Sequence, residues 1–462
     1  MSAWLADNRE RVFAGLTRFL SIASVSTDPA FKPKIAEAQR FLLDHLAAIG
    51  FEHGRLIEGD GHAAVYADWL HAPGKPTLLV YGHYDVQPPD PLDKWVSPPF
   101  TPTVRDGRLY ARGASDDKCP LFVALTAAAG LLAADGRLPV NLKLLLEGEE
   151  EVGSKNLESY VRGARDLLKA DFVLSADGAR WRADLPAVNV ASRGIATLEL
   201  TLTTAAKDLH SGRYGGAVAN PLSAIARLVA SLHDERGRIA VAGFYDGVAE
   251  PTNAERAAIA DLPFDEAAYI AAVGAAAPVG EAGYTTLERQ WLRPCLDLNG
   301  LWGGYEGTGS KTVIPHVAHA KLSSRLVPGQ DPARIVAAIK AHLEAHCPPG
   351  ARIAVTAGHG SPAYALPSEH PALAIAETVL AEVHGRKPVR VRIGATLPIS
   401  EMFRRVLGID TIMFSYSTAD EDFHAPNEFF RLTSFDEGFA AWQSFLRHAG
   451  ALSPRAFDAF RR

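Results

Sequence analysis

Thr77-Leu78-Leu79-Val80-Tyr81-Gly82-His83-Tyr84-Asp85-Val86-Gln87-Pro88 decides how this chain reads. Leu78 to Tyr81 is a short apolar run, the mark of a buried strand. The run stops at Gly82, and His83 and Asp85 follow. In extended backbone, residues two apart point the same way. An imidazole and a carboxylate therefore leave the strand end side by side. Downstream, Ser115-Asp116-Asp117 precedes an apolar, Ala-rich segment from Leu121 to Leu132. That pattern predicts a helix start with Ser or Asp at the cap, where the positive dipole end favours carboxylates. The plain alternative for the whole stretch is a polar loop leading into a capped helix.

Working outward, Val140 to Leu146 is another apolar strand, ending in Glu147-Gly148-Glu149-Glu150-Glu151-Val152-Gly153-Ser154. A helix to about 168 follows. Asp171 to Leu174 reads as a strand ending in Ser175-Ala176-Asp177-Gly178. Upstream, residues 8–24 and 33–49 read as amphipathic helices, and 63–69 as a strand. The order strand, helix, strand, helix, strand implies an α/β fold, a mostly parallel sheet wrapped by helices. Ligands of such sheets bind beyond the carboxyl ends of the strands. His83, Glu150 and Asp177 all fall on that edge.

The character changes near Ser192. Ile195 to Thr203 alternates apolar and polar residues, a half-exposed strand of antiparallel type. Residues 195–360 read as an inserted α+β domain. It holds helices at 220–233 and 331–346, strands at 313–326 and 352–357, and an Ala-rich helical surface at 254–277. From Glu369 the parallel-sheet style returns: a helix over 370–384, strands at 389–393 and 411–414, a helix at about 400–406 and a last helix over 434–449. The loop Asp420-Glu421-Asp422-Phe423-His424-Ala425-Pro426-Asn427 lies between them.

The net charge of −6 over 462 residues comes from mixed signs without long runs. A nucleic-acid protein would show a basic face. Cys119, Cys295 and Cys347 are odd in number and far apart. They support neither a disulfide framework nor a cysteine zinc site, and point to a reducing, cytoplasmic setting. Met1 to Leu20 is amphipathic and lacks the apolar core of a signal peptide. No stretch approaches the length of a membrane span, so no membrane partner is expected.

His83, Asp116, Glu151, Asp177 and His424 offer two imidazoles and three carboxylates, a donor set for hard or borderline dications. With one shared carboxylate, five such ligands suit two adjacent metal ions. Alone, any one of them would be an ordinary surface or structural residue.

In these stretches the chain resembles the M20 family of dinuclear metallopeptidases, and especially its carnosinase-like dipeptidases. The matching segments are Gly82 to Pro88, Ala111 to Lys118, Glu147 to Ser154, Ser175 to Asp177, Lys207 to Gly216, Lys311 to Pro315, Arg325 to Pro328 and the His424 loop. The resemblance implies a discontinuous catalytic domain, 1–192 with 363–462, and an inserted lid and dimerisation domain, 193–362. It implies hydrolysis of dipeptides or short peptides by a homodimer with two divalent ions, zinc first, manganese or cobalt as alternatives. His83 and Asp177 would hold one ion, Glu151 and His424 the other, and Asp116 would bridge. Two Glu, one residue, then Gly-Ser is the family pattern, so Glu150 would be the general base and Glu149 an extra acid. Asp85 would accept the ring N–H of His83. His210 would stabilise the oxyanion from the partner subunit. Arg325 would bind a substrate carboxylate, with Thr312 and Thr396 beside the substrate. One departure is Gly394-Ala395-Thr396-Leu397-Pro398, where relatives carry Gly-Gly-Ser-Ile-Pro. Ser to Thr keeps the hydroxyl, while Ala395 narrows the backbone approach to a ligand.

Two rivals remain at this stage. One is an N-acyl-amino-acid amidohydrolase of the same fold: a deacylase, desuccinylase or carbamoylase. The other is a binding homologue without catalysis, which loss of a ligand or of Glu150 would signal. There is no Gly-x-Ser-x-Gly elbow and no Walker A loop.

Overall fold

The computed structural model describes residues 3–461; Met1, Ser2 and Arg462, which the ranges 1–192, 363–462 and Met1 to Leu20 include, lie outside the described residues. The chain divides into two compact units. The first comprises Met1–Val190, Leu366–Val391 and Met402–Arg462, and the second Ala191–Ala365 with Arg392–Glu401.

The first unit is built on a six-stranded sheet in the order Glu52–Ile57, Ala64–Trp69, Asn141–Glu147, Thr77–His83, Phe172–Ser175, Thr411–Met413. The last four strands run parallel, and the first two join antiparallel. Leu78, Leu79, Val80 and Tyr81 are all buried, because helices cover both faces of a parallel sheet and leave no polar side to alternate with. In register, His83 lies opposite Glu147, and Tyr81 opposite Ser175. The three strand ends are therefore nearly level, and the loops after them leave the same edge.

The helix Cys119–Asp135 is buried almost all round, with Leu121, Phe122, Val123, Leu125 and Leu131 inside. The helical stretch Ala114–Asp135 does reach the length and hydropathy of a membrane span, contrary to the expectation from sequence, but 78% of its apolar window is buried inside the protein. It is a core helix by that measure.

The expected cap of this helix is not there. The helix begins at Cys119, and Lys118 before it has helical φ and ψ of −63° and −40° with no side-chain cap bond. Asp116 is extended, at φ −123° and ψ 93°. The Ser115 hydroxyl donates instead to Glu421. Cap-forming residue types are also good partners for buried polar groups, and here those partners win. The helix expected to reach 168 is shorter, Leu157–Gly163.

The second unit holds a four-stranded antiparallel sheet in the order Cys295–Gly303, Val317–Leu326, Gly194–Thr203, Arg352–Ser361. Along Gly194–Thr203 buried and half-buried residues alternate strictly. Ala196, Leu198, Leu200 and Leu202 share a core with Ile225 and Leu228 of the helix Pro221–Ala230 and with Ile335, Ile339 and Leu343 of the helix Pro332–Ala345. The strand expected over 313–326 is divided at Pro315, which has no N–H for a ladder. Val313–Ile314 pairs instead with Leu209–His210, placing His210 opposite Val313. The surface at 254–277 carries two short helices, Asn253–Ala260 and Glu266–Ala272, neither with a buried residue.

Candidate active site

The site grows from the end of Thr77–His83. Gly82 is small for a reason: a Cβ there would lie 2.7 Å from Asp117 Oδ2. That carboxylate accepts the His83 N–H at 3.2 Å. The His83 ring is fully buried, with Nδ1 3.1 Å from the Asp85 carbonyl oxygen and 3.4 Å from Asp85 Oδ1. A carbonyl only accepts, so Nδ1 carries a proton.

The Asp85 carboxylate has a second task. Its two oxygens accept the backbone N–H groups of Glu150, at 3.2 Å, and Glu151, at 3.1 Å. One buried side chain thus ties the His83 loop to the Glu150–Glu151 loop. The expected ring contact to Asp85 is present, made mainly by its carbonyl.

Asp116 stands between the two imidazoles. Its Oδ1 faces His83 Nε2 at 3.0 Å, and its Oδ2 faces His424 Nε2 at 3.0 Å. His424 Nε2 is also 3.3 Å from Glu151 Oε2. One ligand atom each from His83, Asp116 and Asp177 lies within 4.8 Å of the others, and the same holds for Asp116, Glu151 and His424. The five residues singled out from the sequence therefore form two groups sharing Asp116. His424 is held at a φ of 61°, in the left-handed region that non-glycine residues seldom adopt.

The electrostatics fit a cation site. Burial pushes the Asp177 carboxyl up to about 6 and the Glu150 carboxyl well above its ordinary range. Burial also disfavours a charged His83, yet hydrogen bonds to Asp116 and Asp85 raise its pKa well above the usual value. Hydrogen bonds to Asp116 and Glu151 raise His424 to about 10. The carboxylates thus draw protons onto both rings, the behaviour of a cage short of positive charge. Oxygen and imidazole donors of this kind suit divalent zinc, manganese or cobalt.

Glu149 and Glu150 diverge. Glu149 Oε2 accepts from Asn156 Nδ2 at 2.8 Å, away from the ligand groups. The electrostatic neighbours of Glu150 are His83, Asp177, Asp116 and Glu151.

Several site residues had no signal in the sequence beyond their proximity to ligands. Glu147, almost fully buried, accepts from the Tyr81 hydroxyl and, at 2.9 Å, from Ser154 Oγ. Gln87 Nε2 donates to Glu151 Oε2 at 2.9 Å. Lys118, fully buried, donates to the carbonyl oxygens of Phe19 at 3.1 Å and Ile22 at 2.7 Å. Ser24 Oγ donates to the Tyr84 carbonyl at 2.6 Å, and Val86 N to the Ser24 carbonyl at 3.0 Å. Glu428 is buried beside Asp116 and accepts its N–H at 3.0 Å.

The remaining candidates lie in the second unit. His210 is exposed, and its Nδ1 accepts the Gly212 N–H at 3.0 Å. In the neutral ring the proton then sits on Nε2. Thr312 is exposed, and its carbonyl accepts the Ser211 N–H at 3.0 Å. Arg325 Nη1 donates to Thr396 Oγ1 at 2.8 Å.

Residues 79–448 match Peptidase family M20/M25/M40. The chain is 29% identical over 454 residues to a Cys-Gly metallodipeptidase of Schizosaccharomyces pombe, covering 95% of each. It is 30% identical over 451 residues to a Beta-Ala-His dipeptidase of Mus musculus, covering 93% of this chain and 92% of that protein. Its fold matches the solved structure of an M20 family metallo-carboxypeptidase from Sulfolobus solfataricus, with a TM-score of 0.82, 33% identity, and coverage of 96% and 99%.

Proposed function

The chain belongs to peptidase family M20/M25/M40, and from that premise we propose that it is a metal-dependent hydrolase cleaving the amide bond of dipeptides or short peptides. The observation that carries this reading is the Asp116 carboxylate, with one oxygen 3.0 Å from His83 Nε2 and the other 3.0 Å from His424 Nε2. We assign His83 and Asp177 to one ion, Glu151 and His424 to a second, and Asp116 to both. Zinc is the expected ion, with manganese or cobalt as alternatives.

When bound, the two cations supply Lewis acidity toward a carbonyl oxygen and lower the pKa of a water. The rest is the work of the chain. Glu150 takes a proton on its carboxylate and hands it to the leaving amine nitrogen. Burial raises its affinity for that proton. Asp85 holds the His83 tautomer and the Glu150 backbone at once. His210 donates from Nε2 to the developing oxyanion, acting across a homodimer from the inserted domain. Arg325 receives a substrate carboxylate, with Thr312 and Thr396 beside it. The inserted domain serves as lid and dimerisation surface, and the cytoplasm is the expected setting.

Two of the named relatives are dipeptidases, one for Cys-Gly and one for Beta-Ala-His. They support a dipeptide substrate without fixing its side chains. The test is a panel of dipeptides and N-acyl amino acids, assayed on metal-free protein with zinc, manganese or cobalt added back. Cleavage of dipeptides supports the reading. Turnover confined to N-acyl amino acids would transfer the chain to the amidohydrolases of the same fold.

A further inference from the structure

Glu428 is completely buried, and four donors converge on its carboxylate. Arg112 Nη1 at 2.7 Å and Gly113 N at 2.8 Å reach Oε2. Ser115 N at 2.7 Å and Asp116 N at 3.0 Å reach Oε1. Three of the four are main-chain groups of one turn, Gly113 to Asp116. The Ala111 N–H also reaches the Glu428 carbonyl at 3.2 Å, and the strand Phe429–Arg431 then pairs with Arg108–Tyr110. The carboxylate is thus the terminal clasp of a short antiparallel ladder. It closes on the turn that carries the one residue common to both ligand groups.

An ionised carboxylate offers about four acceptor sites, and the one on Glu428 meets four donors. This one fixes the backbone on which Asp116 is mounted, from both of its oxygens. With the main chain of Asp116 fixed, the point from which its side chain departs is fixed too, and from it Oδ1 and Oδ2 lie 3.0 Å from His83 and His424. We propose that Glu428 is the positioning residue for Asp116, and that it sets the affinity of both metal subsites together. The inference rests on the metal-dependent reading above. It differs from what a ligand such as Glu151 does, because Glu151 belongs to one group only.

The experiment is a zinc titration of metal-free, full-length protein by calorimetry with a competing chelator, on wild type, Glu428→Gln and Glu151→Gln. Glutamine keeps the volume of Glu428, but its amide NH₂ confronts N–H donors where an oxygen accepted them. The expected result is a weakening of both zinc equivalents in Glu428→Gln, by about 10- to 100-fold, the usual effect of losing a group that orients a ligand. Far-UV circular dichroism of the metal-free protein should match wild type, while its melting temperature falls because buried donors lose their acceptor. Glu151→Gln should weaken mainly one equivalent. Two equivalents at wild-type affinity in Glu428→Gln, or a loss confined to one, overturns the proposal. If Glu428→Gln does not fold, Glu428→Asp replaces it. That variant keeps the charge with a shorter reach and should show a smaller loss on both equivalents; wild-type affinity there overturns the proposal equally. Fewer than two equivalents on the wild type would instead defeat the dinuclear reading, and this inference with it.

Discussion

Arg325 Nη1 and Thr396 Oγ1 are hydrogen-bonded at 2.8 Å, across 71 residues of sequence. One donor of the guanidinium is thereby committed, which holds the fork in one orientation and leaves the other donors for an incoming carboxylate. Arg325→Gln should raise KM for dipeptides about 10- to 100-fold, the equivalent of the 1.5–3 kcal/mol of a hydrogen bond to a charged group. Thr396→Val should raise it less, and Thr396→Ser should stay near wild type. Steady-state kinetics on a dipeptide and on its C-terminal amide are the check. If Arg325→Gln loses as much on the amide as on the acid, Arg325 does not read the carboxylate.

Glu150 and Glu149 can be separated by isosteric change. Glu150→Gln should lose about 10²- to 10⁴-fold in turnover, the usual effect of a missing general base, while retaining its metal content. Glu149→Gln removes only an acceptor for Asn156 and should stay close to wild type. Turnover and metal analysis of the two variants decide the register of the Glu147 to Glu151 run; the opposite ranking would move the base by one residue.

Metal removal should act on stability as well as activity. A ligand at 100 times its Kd stabilises the folded chain by about 2.7 kcal/mol. Exhaustive chelation should therefore abolish activity and lower the melting temperature by several degrees, both restored by zinc. Full activity in protein shown to be metal-free would end the metallohydrolase reading.

His210→Ala should lower turnover by about 10²- to 10³-fold, the range for losing one oxyanion donor, without emptying the metal site. Mixing it with Glu150→Gln under conditions of subunit exchange tests the partner-subunit role. A mixed dimer would join an intact Glu150 to an intact His210, and part of the activity should return. Exchange without any return would place His210 within its own subunit's chemistry or outside catalysis.

Acid stability should depend on a histidine far from the site. His370 is buried against Phe172, Phe457 and Phe460, with Nδ1 accepting the Ala372 N–H at 3.2 Å. Burial pushes its pKa down from 6.5 to about 4. The unfolded chain then binds the proton more readily between those values. Stability is fully present above about pH 6.5 and falls as pH drops toward 4, by at most about 1.4 kcal/mol per pH unit. His370→Asn keeps an acceptor for the cap and does not titrate. The drop in urea midpoint between pH 7 and pH 4.5 should be smaller in this variant; an unchanged drop would assign it to other groups.

The ligand loops were legible because a parallel strand announces itself as an unbroken apolar run, and the run's end marks where function begins. His83, the Glu150 loop and Asp177 all follow such runs. Partnerships across the sequence were not legible. Asp117 and Glu428 act through backbone N–H groups, which every residue possesses and no pattern singles out. Ser115-Asp116-Asp117 reads as a helix cap because capping and site-building draw on the same side chains. The strand over 313–326 looked continuous because its apolar pattern crosses Pro315, while ladder formation obeys the missing N–H.

Lys118 and Ser24 bear on how the protein is born. The loops carrying His83 and Asp116 lean on Phe19, Ile22 and Ser24, near the amino end. They are completed by Glu428, 312 residues beyond Asp116. A ribosome therefore delivers the first support long before the last one. A nascent chain halted before Glu428 would already hold His83, Asp116, Glu151 and Asp177, without the clasp that arranges them.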